Sequence, residues 1–173
     1  AAVRPSLGIV MARMPRHTSQ QPNDGPTIGE PLRHALAYAE LGWQVFPVHW
    51  VVDGRCSCGN VCDSPGKHPI RELTPHGLKD ATTEAATLQR WWAQHPQANV
   101  AIRTGAASGV WVLDVDVGGG KQGDIALESM TDQHGALPDT VQGFTGSGGL
   151  HYVFRYPVDG RAVRNRTNTP GQG

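Results

Sequence analysis

Asp114 and Asp116 stand one residue apart at the end of an apolar run, Val110-Trp111-Val112-Leu113-Asp114-Val115-Asp116. On a β-strand, residues i and i+2 point to the same face. The two carboxylates therefore project together, and Val115 turns to the opposite side. Ionised carboxylates that close raise each other's pKa, and a divalent cation relieves the repulsion. Mg²⁺ is typically held by one or two carboxylates plus substrate phosphates. The run predicts a metal-dependent phosphate site at a strand end. The plainer alternative is a pair of solvated acids before the turn Gly118-Gly119-Gly120.

A second segment with chemistry in it is Thr145-Gly146-Ser147-Gly148-Gly149-Leu150-His151-Tyr152. A turn containing Gly148 and Gly149 lets backbone N–H groups approach phosphate oxygens. Ser147 adds a hydroxyl donor, and His151 on the following strand can donate to a phosphate. The turn fits neither the P-loop nor the dinucleotide fingerprint, and taken alone it is equally a hairpin with a histidine in the sheet. Paired with the two carboxylates, it completes a metal site and a phosphate cradle.

The third segment is Cys56-x-Cys58-x3-Cys62-x5-His68. Three thiolates and one imidazole make a closed tetrahedral Zn²⁺ site, with a role in folding the loop rather than in catalysis. His49 and His76 are alternative fourth ligands. Lys67 sits beside His68 in Pro65-Gly66-Lys67-His68-Pro69, where a zinc-stiffened loop can hold it against a phosphate. Arg103, on a strand expected next to the acidic one, can do the same.

The elements that must position these groups follow from periodicity. Leu32, Ala35, Leu36 and Ala39 recur at helical spacing after Pro31, and Gly42 stops that helix. Trp43 to His49 is predicted as a strand, with Pro47 marking an edge or strand end. Thr82 or Thr83 caps a second helix that buries Leu88, Trp91 and Trp92 and ends at Pro96. Residues 99–104 and 110–116 are predicted strands, too close for a crossover and so expected as an antiparallel hairpin. Ile125 to His134 is a third helix, with Ile125, Leu127 and Met130 partly buried. Strands at 140–144 and 150–156 flank the Gly-rich turn. The order indicates an α+β, or mixed α/β, domain.

Composition bounds the rest. The 173 residues suit one domain, with residues 1–29 a flexible Pro/Gln-rich leader and residues 30–173 the folded part. No apolar stretch approaches the length of a membrane span, so no membrane partner is expected. Fifteen basic residues balance fifteen acidic ones, which argues against a strongly basic nucleic-acid-binding surface. Three cysteines packed into seven positions fit metal binding in a reducing, cytoplasmic compartment.

The order of these motifs resembles the N-terminal domain of bifunctional DNA primase–polymerases, members of the archaeo-eukaryotic primase superfamily found on plasmids, phages and integrated elements. The resemblance runs from about Leu32 to Gly171. It rests on Ala37-Tyr38-Ala39-Glu40-Leu41-Gly42-Trp43 with Val45-Phe46-Pro47, on Gly66-Lys67-His68-Pro69, and on Gly77-Leu78-Lys79-Asp80-Ala81-Thr82. It continues through Asn99-Val100-Ala101-Ile102-Arg103-Thr104-Gly105, Leu113-Asp114-Val115-Asp116 and Gly146-Ser147-Gly148-Gly149-Leu150-His151-Tyr152.

The resemblance implies a primase-like fold in which an α/β unit joins a sheet similar to an RNA-recognition motif. It implies template-directed nucleotidyl transfer on a DNA template and primer from nucleoside triphosphates. Asp114 and Asp116 would match the metal-binding carboxylates for Mg²⁺ or Mn²⁺, and Ser147 and His151 the triphosphate contacts. The Cys/His loop is similar to an insertion in part of the family. A helicase or DNA-binding region is expected C-terminal to the domain. The family carries a third carboxylate, usually just past Gly173. Asp and Glu are absent after Asp159, so the 173 residues are expected to be a C-terminally incomplete fragment, impaired in catalysis. Two other readings compete: a non-catalytic nucleotide- or template-binding module of the same fold, and a sugar-nucleotide transferase using Asp-x-Asp.

Overall fold

The computed structural model describes residues 9–10, 29–145 and 148–165. Its elements in chain order are β1 (Ile9–Val10), α1 (Glu30–Glu40), β2 (Val45–Val48), β3 (Val51–Val52), β4 (Arg55–Cys56), a 3-10 turn (Gly77–Asp80), α2 (Ala85–Gln94), β5 (Asn99–Ile102), β6 (Val110–Val115), β7 (Val117–Gly118), β8 (Lys121–Gln122), α3 (Gly123–His134), β9 (Val141–Phe144) and β10 (Leu150–Arg155). Helices and small antiparallel sheets make this an α+β arrangement. Among the described residues no helix is long and apolar enough to cross a membrane.

The first sheet has the order β1-β5-β2, and α1 and α2 pack against it. α1 starts with Pro31 in its first turn, where a missing N–H costs nothing, and ends where Gly42 takes φ +81° and donates to the Ala39 carbonyl. α2 turns Leu88, Trp91 and Trp92 inward, and the Trp92 indole N–H donates to the Ala98 carbonyl at 2.9 Å. Val45, Phe46, Val48, Val100 and Ile102 complete a continuous core with these residues. β2 is buried along its whole length, so both of its faces are covered. β2 ends its sheet, as Pro47 predicts, but the chain between Pro69 and Thr82 runs along its outer edge and covers it.

Three expectations are corrected. Residues 99–104 and 110–116 do not form a hairpin: β5 lies between β1 and β2, whereas β6 pairs with β10 in a second sheet of order β6-β10-β9. Val100, Ala101 and Ile102 are all buried and need cover on both faces. β6 exposes Asp114 and belongs on a half-open sheet. Gly105 (φ +98°) and Gly109 (φ +64°) carry the chain from one sheet to the other. Ser108, itself buried, fastens that loop: its hydroxyl accepts from the Gln44 N–H and donates to the Arg103 carbonyl.

The second correction concerns α3. Ile125 and Met130 are exposed rather than partly buried, and only Leu127 among the three turns toward the sheet, where it lines a cavity of about 520 Å³ with Val115 and Tyr152. The third concerns the start of α2. The N-cap position is Glu84 and no side chain caps it, while Thr82 Oγ1 accepts the Glu84 N–H instead. Short elements also arise where none was expected: Ile9–Val10 pair with β5 inside the expected leader, β3 and β4 form a small hairpin leading into the cysteine loop, and β7 and β8 form another after β6.

Candidate metal and nucleotide site

The second sheet positions the acid pair. In the β6–β10 register His151 lies opposite Asp114, and on its other side His151 lies opposite Gly143 of β9, which has no side chain to crowd it. His151 Nε2 sits 3.3 Å from Asp114 Oδ1. Val115 is buried on the far face, as the strand period requires. The His151 hydrogen bond is the main cause holding the Asp114 carboxyl below the usual carboxylate range. Partial burial opposes it, and the charges of His151, Lys121 and Lys67 reinforce it.

Asp116 follows β6, and its backbone is enclosed by two glycines. The Gly123 N–H donates to the Asp116 carbonyl at 2.9 Å, and a Cβ on Gly123 would lie 2.5 Å from that oxygen. A Cβ on Gly149 would lie 2.4 Å from the Val115 carbonyl oxygen. Neither glycine is required for a left-handed backbone. Both are required for space. The hairpin β7–β8 then returns the chain and brings Lys121 onto the Asp116 carboxylate in an ion pair. That hydrogen bond, with the charges of Asp116 and Asp114, raises the Lys121 pKa. One ammonium is therefore attracted by both carboxylates, as a bound cation would be. The oxygen donors of Asp114 and Asp116 suit Mg²⁺ or Mn²⁺. Lys121 is absent from the expectations above because only the hairpin register places it here.

The Gly-rich turn is closed by Thr145. Its hydroxyl accepts the Gly149 N–H at 2.8 Å, and its carbonyl accepts the Gly148 N–H at 3.0 Å. These two N–H groups are engaged within the turn, so what Gly149 contributes to the site is its close approach to the β6 strand. Gly146 and Ser147 lie outside the described residues.

The cysteine loop forms a compact cluster. The ligand atoms of Cys56, Cys58, Cys62 and His68 all lie within 4.8 Å of one another. Cys58 and Cys62 sulfurs are 4.0 Å apart, and Cys56 Sγ is 3.3 Å from His68 Nε2. A zinc tetrahedron has a thiolate–thiolate edge of about 3.8 Å and a thiolate–imidazole edge of about 3.6 Å, so the residues fit Zn²⁺. Burial opposes ionisation of Cys56, but backbone N–H groups at Cys58 and Gly66 and the neighbouring thiols bring its pKa down to about 6. Burial and the two other thiols push Cys62 up to about 11. Thiolates held this close repel one another, and a bound cation relieves that repulsion. His49 and His76 do not join them: His49 Nδ1 pairs with Ser57 Oγ at 2.9 Å, and His76 pairs with Asp80.

Lys67 and Arg103 part company. Lys67 lies within electrostatic reach of Asp114. Arg103 does not sit on a strand adjacent to β6, since that neighbour is β10. Its guanidinium instead donates to the Gln44 side chain at 3.4 Å.

A family model matches residues 35–173, most of the chain, and places it among the DNA primases and polymerases. The chain belongs to the family described as bifunctional DNA primase/polymerase, N-terminal. At family level this implies nucleotidyl transfer, divalent metal use, and nucleotides and DNA as ligands. No curated protein and no solved structure gives a significant match.

Proposed function

We propose that this chain carries a metal-dependent, template-directed nucleotidyltransferase site for DNA priming or extension in the replication of a plasmid, phage or integrated element. Residues 30–173 form the catalytic domain in this reading, and the β6-β10-β9 sheet is its RNA-recognition-motif-like part. The observation that carries it is Asp114 paired with His151 across neighbouring strands, with Asp116 beside it at the strand end.

Each group then has a role. Asp114 and Asp116 hold Mg²⁺ or Mn²⁺, which when bound supplies Lewis-acid stabilisation of the attacking and leaving oxygens. His151 holds Asp114 ionised and, with Ser147, offers donors to the triphosphate. Lys121, which pairs with Asp116 here, would be free to offer its ammonium to the phosphates once Asp116 held a metal. The Cys56/Cys58/Cys62/His68 cluster holds Zn²⁺ as a structural site. Lys67 adds positive charge on the side of that loop.

The test is extension of a primed template with labelled deoxynucleoside triphosphates and Mn²⁺. Wild type extends the primer and Asp114→Ala does not. Turnover of a sugar nucleotide with no response to deoxynucleotides contradicts the proposal. A second reading, a nucleotide-binding module without catalysis, is favoured by one observation: the Lys121 ammonium pairs with the Asp116 carboxylate. Metal-dependent nucleotide binding without any extension supports that reading over the first.

A further inference from the structure

Lys67 is held by more than its neighbours in sequence. Ser64, Pro65, Gly66 and Lys67 make a four-residue turn in which the Lys67 N–H donates to the Ser64 carbonyl at 3.2 Å. Proline in its second position and Gly66 at φ +71° in its third are the signature of a type II turn. The Gly66 N–H donates to Cys56 Sγ at 3.3 Å, which ties the turn to the metal cluster. His68, on the other side of Lys67, supplies the imidazole of the same cluster, and its carbonyl accepts the His49 N–H at 2.9 Å.

Asn99 joins this turn to the core. Its side-chain amide donates to the Gly66 carbonyl at 3.1 Å and to the His49 carbonyl at 3.2 Å. Asn99 is the first residue of β5, whose next three residues are buried, so it is an anchor on a rigid element. The fit at Gly66 is close. A Cβ there would lie 3.0 Å from Val51 Cγ2 and 3.4 Å from the Asn99 amide nitrogen. The backbone on both sides of Lys67 is thus tied to the sheet and to the cysteine cluster, while its side chain is exposed and lies within electrostatic reach of Asp114.

We propose that Asn99 and the zinc loop together form a positioning device for Lys67, which binds the polyphosphate of a nucleotide held at Asp114 and Asp116. This rests on the nucleotidyl-transfer reading above and adds the control of triphosphate affinity by zinc loading. A lysine ammonium is a compact point charge, suited to a polyphosphate when the backbone that carries it is fixed. Asn99 is a positioning residue and touches no substrate.

The experiment measures binding of a non-incorporating nucleoside triphosphate by calorimetry in Mn²⁺, on the zinc-loaded chain, with zinc content from elemental analysis. Lys67→Ala weakens triphosphate binding about tenfold or more and leaves Mn²⁺ binding without nucleotide in place. Asn99→Ala keeps its zinc, weakens the triphosphate in the presence of Lys67, and has no further effect in the Lys67→Ala background. Cys58→Ser loses zinc and shows the same dependence on Lys67. If Asn99→Ala does not fold, Gly66→Ala displaces the same turn and is read in the same way. Equal weakening with and without Lys67 overturns the positioning role, and unchanged affinity in Lys67→Ala overturns the proposal outright. A zinc-loaded wild type that binds no triphosphate overturns the functional reading beneath it, a result distinct from the other two.

Discussion

Asp114 and His151 lie directly opposite each other on adjacent antiparallel strands, with Nε2 and Oδ1 3.3 Å apart. Cross-strand neighbours are the closest side-chain pairs a sheet can build, so the register alone brings the acid and the imidazole together. The imidazole keeps the acid ionised. The unsubstituted Gly143 beyond it leaves room on that face for a ligand.

Asp116 depends on space rather than on a partner. Gly123→Ala puts a Cβ against the Asp116 carbonyl, and Gly149→Ala puts one against the Val115 carbonyl. Each is expected to destabilise the domain by about 1–3 kcal/mol, because the obstructing atoms are backbone and cannot rotate away. Gly135→Ala meets no atom within 4 Å, so it carries only the strain of φ +89° and should leave nucleotide binding intact. Chemical denaturation with a parallel nucleotide-binding measurement separates the two kinds of glycine.

The zinc loop should be separable from the core. The hydrophobic cluster from Ala35 to Ile102 includes no cysteine. Chelation or Cys58→Ser is therefore expected to remove one zinc per chain and lower the melting temperature, with the helical circular-dichroism signal largely retained. Collapse of that signal on chelation would mean the core depends on the loop.

Asp80 supplies a pH-dependent element away from any metal. Its carboxylate accepts the His76 N–H at 2.8 Å and pairs with His76 Nδ1 at 3.0 Å. The backbone hydrogen bond is the main cause of its lowered pKa. A carboxyl whose folded pKa is depressed contributes stability above its unfolded value, about 3.9, and loses it as pH falls through the folded value. Wild type should therefore melt above Asp80→Ala at pH 6, and the gap should close as the pH drops below about 4. A gap that stays constant with pH would show that the carboxylate charge plays no part.

The sequence made some of this legible and hid the rest for physical reasons. The two-residue period put Asp114 and Val115 on opposite faces of β6, and Cys56, Cys58, Cys62 and His68 met because their spacing confines them to one loop. The helical faces of Leu88, Trp91 and Trp92 were readable for a similar reason: each rests on contacts close in sequence. Lys121, Gly123 and Asn99 were not readable, because their roles arise from a hairpin return, a close backbone approach and a tether spanning Asn99 to Gly66. Arg103 was misplaced because the turn at Gly105–Gly109 exchanges sheets, and nothing local distinguishes that from a hairpin turn. Ile125 and Met130 have the right character for a buried face, but α3 lies over its sheet with a cavity between.

The central claim is that Asp114 and Asp116 form one site for a divalent metal and a nucleotide, and Mn²⁺ binding followed by electron paramagnetic resonance tests it most directly. The account predicts that wild type binds Mn²⁺, that a nucleoside triphosphate tightens the binding, and that both effects are lost in Asp114→Asn and in Asp116→Asn. Unchanged Mn²⁺ and nucleotide binding in folded Asp114→Asn and Asp116→Asn variants would contradict it.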